Sequence, residues 1–336
     1  MSHPLSELRP LALGEIIDRA ATFWRQHFKT LFLLSLGFNL VSYILTKAMQ
    51  LALLRNYSVI QDAARTGDLA VLGAHYARMM GALAGILVVS LWIYDLNTLV
   101  VARYVVPAQL GEPTTPAEGM RRALKRGVAF TGAFVLSLLW GVGATLLMML
   151  PGTVLAGVGA VMGVQSTAPG TRIAGLVLAG GGLILALLGL LGGFLWYLLR
   201  FSLLAPVMAL EELPAVRSFR RSGELLSGRV EPGFIGRVSV RAMLLVTVVS
   251  LILLAVSILC GLPALIIQFV YGSPFDPAAA AANPVPQSLL VPAELLQVVG
   301  QSLFNPLGLV VYATLYLDMR VRREGLDLEK RLEARA

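Results

Sequence analysis

The chain has 336 residues, of which 57% are hydrophobic and only 14% charged, with a mean hydropathy of +0.77. Soluble domains average about 25% charged residues, so one ordinary water-soluble core is excluded. The formal net charge of +8 is a topology signal rather than a nucleic-acid footprint, because the basic residues flank apolar blocks.

Seven charged side chains are spread over the first 29 positions, before any apolar span begins. No cleavable signal peptide is expected there, and the first apolar span should stay in the mature protein. Ile16, Ile17, Ala20, Phe23, Trp24, His27 and Phe28 recur at spacings of three and four, with Glu15, Asp18, Arg19, Arg25, Gln26 and Lys29 opposite. This is the pattern of an amphipathic helix. Two placements fit it equally. It can lie along the inner interface with Trp24 at headgroup depth and its arginines near anionic lipid, or dock against the ends of a helix bundle.

Six apolar blocks follow, at about 30–52, 79–104, 128–151, 174–203, 238–262 and 289–317. Each is long enough to cross a hydrocarbon core of about 30 Å. They are continuously apolar rather than alternating, and a helix satisfies its own backbone hydrogen bonds in lipid. The expected fold is all-α, a polytopic membrane bundle of about six transmembrane helices with short cytoplasmic amphipathic helices. Its parts are an N-terminal segment 1–29, a transmembrane domain 30–317 and a basic tail 318–336. The stretch from about 53 to 78 holds Arg55, Asn56, Asp62, Arg65, Asp68 and His75 and reads as the largest extracytoplasmic loop. That from about 271 to 288, with Pro274, Pro277, Pro284 and Pro286, reads as a linker. Pro151, Pro263 and Pro306 are expected to kink or end their helices.

Of the 27 lysines and arginines, twenty-two flank the spans on one side, and only Lys47, Arg55, Arg65, Arg78 and Arg172 lie on the other. The positive-inside rule then places both termini in the cytoplasm. Arginines outnumber lysines twenty-three to four, a bias associated with GC-rich bacterial genomes, which points to a bacterial inner membrane. The cytoplasmic segments also share a layout. Leu13 to Ala20, Pro116 to Ala123 and Pro214 to Arg221 each lead into a pair of spans, and Glu15, Arg19 and Ala20 match Glu118, Arg122 and Ala123 at one offset. The third copy matches mainly in its Pro-Ala and its arginine pair. A weak threefold repeat and chance similarity among basic flanks both fit.

Ionisable groups inside spans are costly, so they are the first places to look for function. Asp95 is the leading one, at about 24 Å along its helix from the outer end, with Asn97 on the same turn and Arg103 and Arg200 within reach of long side chains. The cluster reads either as a proton or substrate relay or as structural polarity at the inner interface; one shallow carboxylate is not a transport pathway. Lys47 and Glu294 lie near span ends and can snorkel to water. Gly81 with Gly85, Gly159 with Gly163 and Gly189 with Gly193 are small-residue pairs suited to close helix packing. Cys260 is the only cysteine, so no intrachain disulfide forms, and His3, His27 and His75 lack metal-ligand spacing. No G-x-S-x-G elbow or phosphate loop is present, and no enzymatic activity, metal or cofactor is expected.

Three stretches carry a resemblance. Arg9-Pro10-Leu11-Ala12-Leu13-Gly14-Glu15-Ile16-Ile17-Asp18-Arg19-Ala20, Phe219-Arg220-Arg221-Ser222-Gly223-Glu224-Leu225-Leu226-Ser227-Gly228-Arg229 and Tyr316-Leu317-Asp318-Met319-Arg320-Val321-Arg322-Arg323-Glu324-Gly325-Leu326-Asp327-Leu328 resemble the opening, a middle loop and the tail of the bacterial glycerophosphoryl diester phosphodiesterase membrane-domain family. That family takes its label from fusions to a soluble phosphodiesterase barrel, whose acidic and histidine motifs are absent here. The resemblance implies a six-helix integral membrane protein, and the family label licenses no enzymatic reading. The expected role is a non-catalytic scaffold or accessory component. It would engage anionic membrane lipid, a membrane-protein partner or a second copy of itself, and no nucleic acid, through Arg19, Trp24, Arg25, Arg121, Arg122, Arg217, Arg220 and Arg221. The alternative is a transporter or lipid-handling protein using Asp95, Asn97, Arg103 and Arg200.

Overall fold

The computed structural model of the chain describes residues 9–55, 69–211, 213–229, 233, 236–271 and 285–333, and among them helices dominate and no strand occurs. Six segments are long and apolar enough to cross a membrane: Phe28–Ala52, Gly73–Gln109, Gly127–Gln165, Pro169–Leu210, Val238–Tyr271 and Gln287–Glu324. The chain is a multi-pass, all-α membrane protein, as its hydropathy requires. Backbone contacts divide it into two compact units, one of residues 1–125 with 244–336 and one of residues 126–243.

The first unit begins with α1 (Leu13–Gln26). Glu15 opens it by accepting the Ala12 N–H at 2.7 Å and pairing with Arg9 at 2.6 Å. The Arg9 hydrogen bond, with that from Ala12, holds the Glu15 carboxyl below its usual range. Ile16, Ala20 and Phe23 are buried. Then come α2 (Phe28–Arg55), α3 (Leu69–Gln109), α4 (Pro116–Lys125), α9 (Val238–Tyr271), which starts in the second unit, α10 (Gln287–Glu324) and α11 (Leu326–Glu333). Thr115 caps α4 by accepting the Glu118 N–H, with Pro116 in the first turn. Gly325 ends α10 in the left-handed region at φ 65°, which lets α11 start at once.

At the centre of this unit is α10. It is the most buried of the six spanning segments and the least apolar, with a mean hydropathy of 1.4 against 2.9 for α9. The inversion is physical. A helix surrounded by α1, α2 and α3 meets protein, and its polar groups find partners, whereas a helix facing hydrocarbon must be apolar all round. Tyr316, Leu309, Leu315 and Met319 of α10 are wholly buried, together with Leu99 of α3, Leu31 of α2 and Ile16 of α1.

The second unit holds α5 (Gly127–Gln165), α6 (Pro169–Phe201), α7 (Leu204–Leu210) and α8 (Ala215–Leu226). Gly175, Ala179, Gly182, Ala186, Gly189 and Gly193 lie along α6 at alternating steps of four and three, a coiled-coil period. They meet Gly163, Gly159, Ala156, Gly152, Met148 and Thr145 of α5. A methyl group at Gly159 would fall 2.6 Å from the Gly175 carbonyl oxygen, so only small residues permit this approach. Among the described residues Gly81 and Gly85 have open space beside them instead.

Several helices outrun their expected ends. Residues 69–78, read as loop, form the first turns of α3, and residues 152–165 continue α5 past Pro151, where the seam with α6 runs on through Gly152, Ala156, Gly159 and Gly163. Pro107, Pro151, Pro263, Pro292 and Pro306 all lie inside helices rather than ending them, which neighbouring helices in a membrane permit. The last spanning helix runs on beyond 317 to Glu324, and Asp318, Met319 and Val321 are buried within it. The loop residues 56–68 and linker residues 272–284 lie outside the described residues.

The threefold layout is present in the fold. Each of three short helices buries a pair four residues apart: Ile16 and Ala20 in α1, Gly119 and Ala123 in α4, Ser218 and Ser222 in α8. Each packs on the second long helix of a hairpin, α1 on α10, α4 on α3 and α8 on α6, although α8 rests equally on the first helix of its hairpin, α5. In this register Arg19, Arg122 and Arg221 are equivalent, one residue off the Pro-Ala alignment of the third copy.

Candidate functional site

Asp95 is half-buried on α3. Asn97 is buried and points its amide at the Ser35 hydroxyl of α2, 3.5 Å away, while its carbonyl oxygen has no partner. Arg103 is half-buried about 12 Å of helix rise beyond Asp95. The fourth expected member, Arg200, belongs to the second unit, where its guanidinium lies 5.6 Å from the centre of the Trp196 ring and its carbonyl oxygen accepts the Ser222 hydroxyl at 2.9 Å. Here the α8 stretch Arg221-Ser222-Gly223 fastens α8 to α6, and Arg221 pairs with Glu211 at 2.8 Å.

Among the expected lipid or partner contacts, Trp24 is used inside the protein. Its indole N–H donates to the Leu303 carbonyl at 3.1 Å and its ring stacks on Phe304, so α1 docks on α10. His27, at the end of α1, stacks on Phe23 and lies 2.8 Å from the Tyr104 hydroxyl, and burial lowers its pKa. Arg19 is half-buried, while Arg25, Arg121, Arg217 and Arg220 are exposed. Arg122 is exposed and pairs with Glu118 at 2.9 Å. The resemblance stretches also meet each other: Asp318 accepts the Leu11 N–H at 2.8 Å and two bonds from Arg322 Nε at 3.0 Å, and Arg322 donates to the Leu11 carbonyl at 2.7 Å. Two of those stretches thus close one buried clasp.

A polar constellation inside the spans lies between α2 and α10. Asn39, Ser42, Tyr43, Thr46, Lys47 and Gln50 share one face of α2, and Glu294, Gln297 and Gln301 share the facing side of α10. Together with Val298 they line a cavity of about 290 Å³. Lys47 Nζ and Glu294 Oε2 are 2.7 Å apart, with side chains 10% and 15% exposed, and the Tyr43 hydroxyl donates to the same oxygen at 2.9 Å. Deeper along the helices Asn39 donates to Ser302 at 2.8 Å, and Gln301 to Ser257 of α9 at 3.0 Å. The pair stands about 28 Å along α2 from Phe28 and about 10 Å from the start of α10.

Read singly, Lys47 and Glu294 look like snorkelling end residues. The signal that reveals them is periodicity: polar residues at steps of three and four through an apolar span, on two separate spans, mark faces turned away from lipid. A larger hollow beside α6, lined by Leu155, Ile173, Val177 and Leu178, is apolar. Among the described residues no three His, Cys, Asp or Glu side chains converge on one point. Comparison of the chain with family models, with curated proteins and with solved structures returns no match.

Proposed function

We propose that this protein binds and handles a small polar group within the membrane, as a carrier or lipid-handling protein without catalytic chemistry, and that its site is the α2–α10 cavity rather than the surroundings of Asp95. One observation carries this reading: a charged pair and a set of hydrogen-bonding side chains from two helices surround an open cavity within otherwise apolar segments. Burying that much polarity is expensive unless partners or a ligand satisfy it. With twenty-two basic residues on one side, the positive-inside rule supports cytoplasmic termini. The cavity then lies towards the outer half of a bacterial inner membrane.

Cysteine labelling tests it. In a Cys260→Ser background, Thr46→Cys and Gln50→Cys should react in intact cells with a membrane-impermeant maleimide. Ile44→Cys, on the exposed apolar side of α2, should not. If Thr46→Cys and Gln50→Cys stay unlabelled, the cavity is dry or faces the other way and the reading fails.

A second reading, a scaffold held to anionic lipid or to a partner, is favoured by the exposure of Arg25, Arg121, Arg217 and Arg220 on three short helices that each precede a hairpin. Neutralising Arg217 and Arg220 should then weaken retention of anionic lipid or a co-purifying protein. Kinship with the phosphodiesterase membrane-domain family remains a proposal about ancestry, resting on the three resembling stretches.

A further inference from the structure

We infer that the ligand of the α2–α10 cavity is a zwitterion, a group carrying an ammonium and an anionic centre a few bonds apart, bound by exchange with the Lys47–Glu294 pair. The inference rests on the cavity being a binding site and adds the class of ligand.

The argument is one of charge balance in a low dielectric. Lys47 and Glu294 neutralise each other across 2.7 Å with little exposure to solvent. A lone anion drawn to Lys47 brings a second negative charge beside Glu294. A lone cation drawn to Glu294 meets Lys47. In either case one protein charge is left unbalanced in a poorly solvated place, which is the costly state for a buried pair. A zwitterion alone can set its anion on the Lys47 ammonium and its ammonium on Glu294 while each protein charge keeps an opposite neighbour. The Tyr43 hydroxyl already donates to Glu294 Oε2 and holds that carboxylate in place. Gln50 and Gln297, which line the same cavity, supply amide donors and acceptors for the rest of the group.

Size agrees. A cavity of about 290 Å³ has room for several water-sized groups, enough to admit a phosphoethanolamine group or a small amino acid. The same chemistry has two sources. One is the headgroup of a zwitterionic lipid such as phosphatidylethanolamine, and the other is a free zwitterion from the aqueous side.

The test uses the full-length protein in detergent and in nanodiscs. Protection of Gln50→Cys, in the Cys260→Ser background, from maleimide is read with phosphoethanolamine, glycine, ethanolamine, methyl phosphate and glycerol. Lipid retention is read by native mass spectrometry with phosphatidylethanolamine against phosphatidylglycerol. Either the free zwitterions protect at concentrations at least tenfold below ethanolamine or methyl phosphate, or phosphatidylethanolamine is retained at least tenfold over phosphatidylglycerol. The first outcome names a soluble source and the second a lipid.

Glu294→Gln should shift the preference from zwitterions towards methyl phosphate and phosphatidylglycerol, a change of selectivity that lost packing does not produce. Should that variant not fold, the exchanged pair Lys47→Glu with Glu294→Lys should still prefer zwitterions. If ethanolamine, methyl phosphate or glycerol protects as well as the zwitterions, or phosphatidylglycerol is retained equally, the inference is overturned while the cavity survives as a site. If Gln50→Cys does not label and no probe or lipid is selected, the site reading falls with it.

Discussion

Replacing Asp318 should release the N-terminal segment from the end of α10. Its carboxylate is wholly buried and receives the Leu11 N–H and Arg322 Nε, while Arg322, only 9% exposed, also donates to the Leu11 carbonyl. Asp318→Ala removes the carboxylate that the Leu11 N–H and the Arg322 guanidinium share, and with it the counter-charge 3.0 Å from that nearly buried guanidinium. Breaking a buried pair in this way costs about 3–5 kcal/mol, or roughly 100- to 3,000-fold in the opening equilibrium, at tenfold per 1.4 kcal/mol. Hydrogen exchange at the Leu11 amide should accelerate accordingly, and exchange through α1 should rise with it, because α1 is held to α10 by Ile16, Ala20 and Trp24. Asp318→Asn keeps one acceptor for the Leu11 N–H but forfeits the charge, and charge-assisted bonds are about twice as strong as neutral ones, so its effect should be intermediate. Unchanged Leu11 exchange in Asp318→Ala, with a melting temperature equal to wild type, would refute the clasp.

Other consequences can be measured in detergent. Gly159→Leu should destabilise the α5–α6 hairpin by at least the 1–3 kcal/mol typical of overpacking, whereas Gly143→Ala and Gly157→Ala, with nothing beside them, should leave thermal unfolding within about 0.5 kcal/mol of wild type; equal melting of all three would contradict the seam. Burial holds His27 below its ordinary 6.5, so as pH falls below about 6.5 the unfolded chain takes up a proton that the folded chain resists. Stability should therefore be greatest above that pH and decline beneath it. His27→Phe should flatten the profile between pH 7.5 and 5.5, and an unchanged slope would assign the effect elsewhere. Gln109, buried with its carbonyl oxygen unpartnered, donates to Thr314 at 3.0 Å. Thr314→Val alone should cost about 1–3 kcal/mol, while Gln109→Leu with Thr314→Val should be near neutral, because apolar replacement of both partners strands no polar group. Additive losses in that double-mutant cycle would speak against the bond.

The six spanning segments, the all-α class of the described residues and the amphipathic helix from Leu13 were legible because each depends only on local composition and period. An apolar run of some twenty residues has few alternatives to helix in lipid, and a 3.6-residue stripe reports the helix that bears it. The third repeat was harder to align, since Ser218 and Ser222 occupy the buried positions that Ile16 and Ala20 fill in the first. Small side chains of different chemistry satisfy the same close approach, so residue identity hides the register that burial reveals.

What the chain alone determined, then, is that it crosses the membrane several times as helices, with most of its arginines gathered at one set of span ends, because insertion depends on the summed transfer free energy of each segment taken separately. Tertiary structure decided which helix lies inside, which glycines touch and which charges meet. Lys47 and Glu294 are separated by most of the sequence, and only the packing of α2 on α10 brings them within 2.7 Å. Pairing between distant segments depends on how helix faces fit together, a property of three-dimensional packing to which no local window of sequence has access.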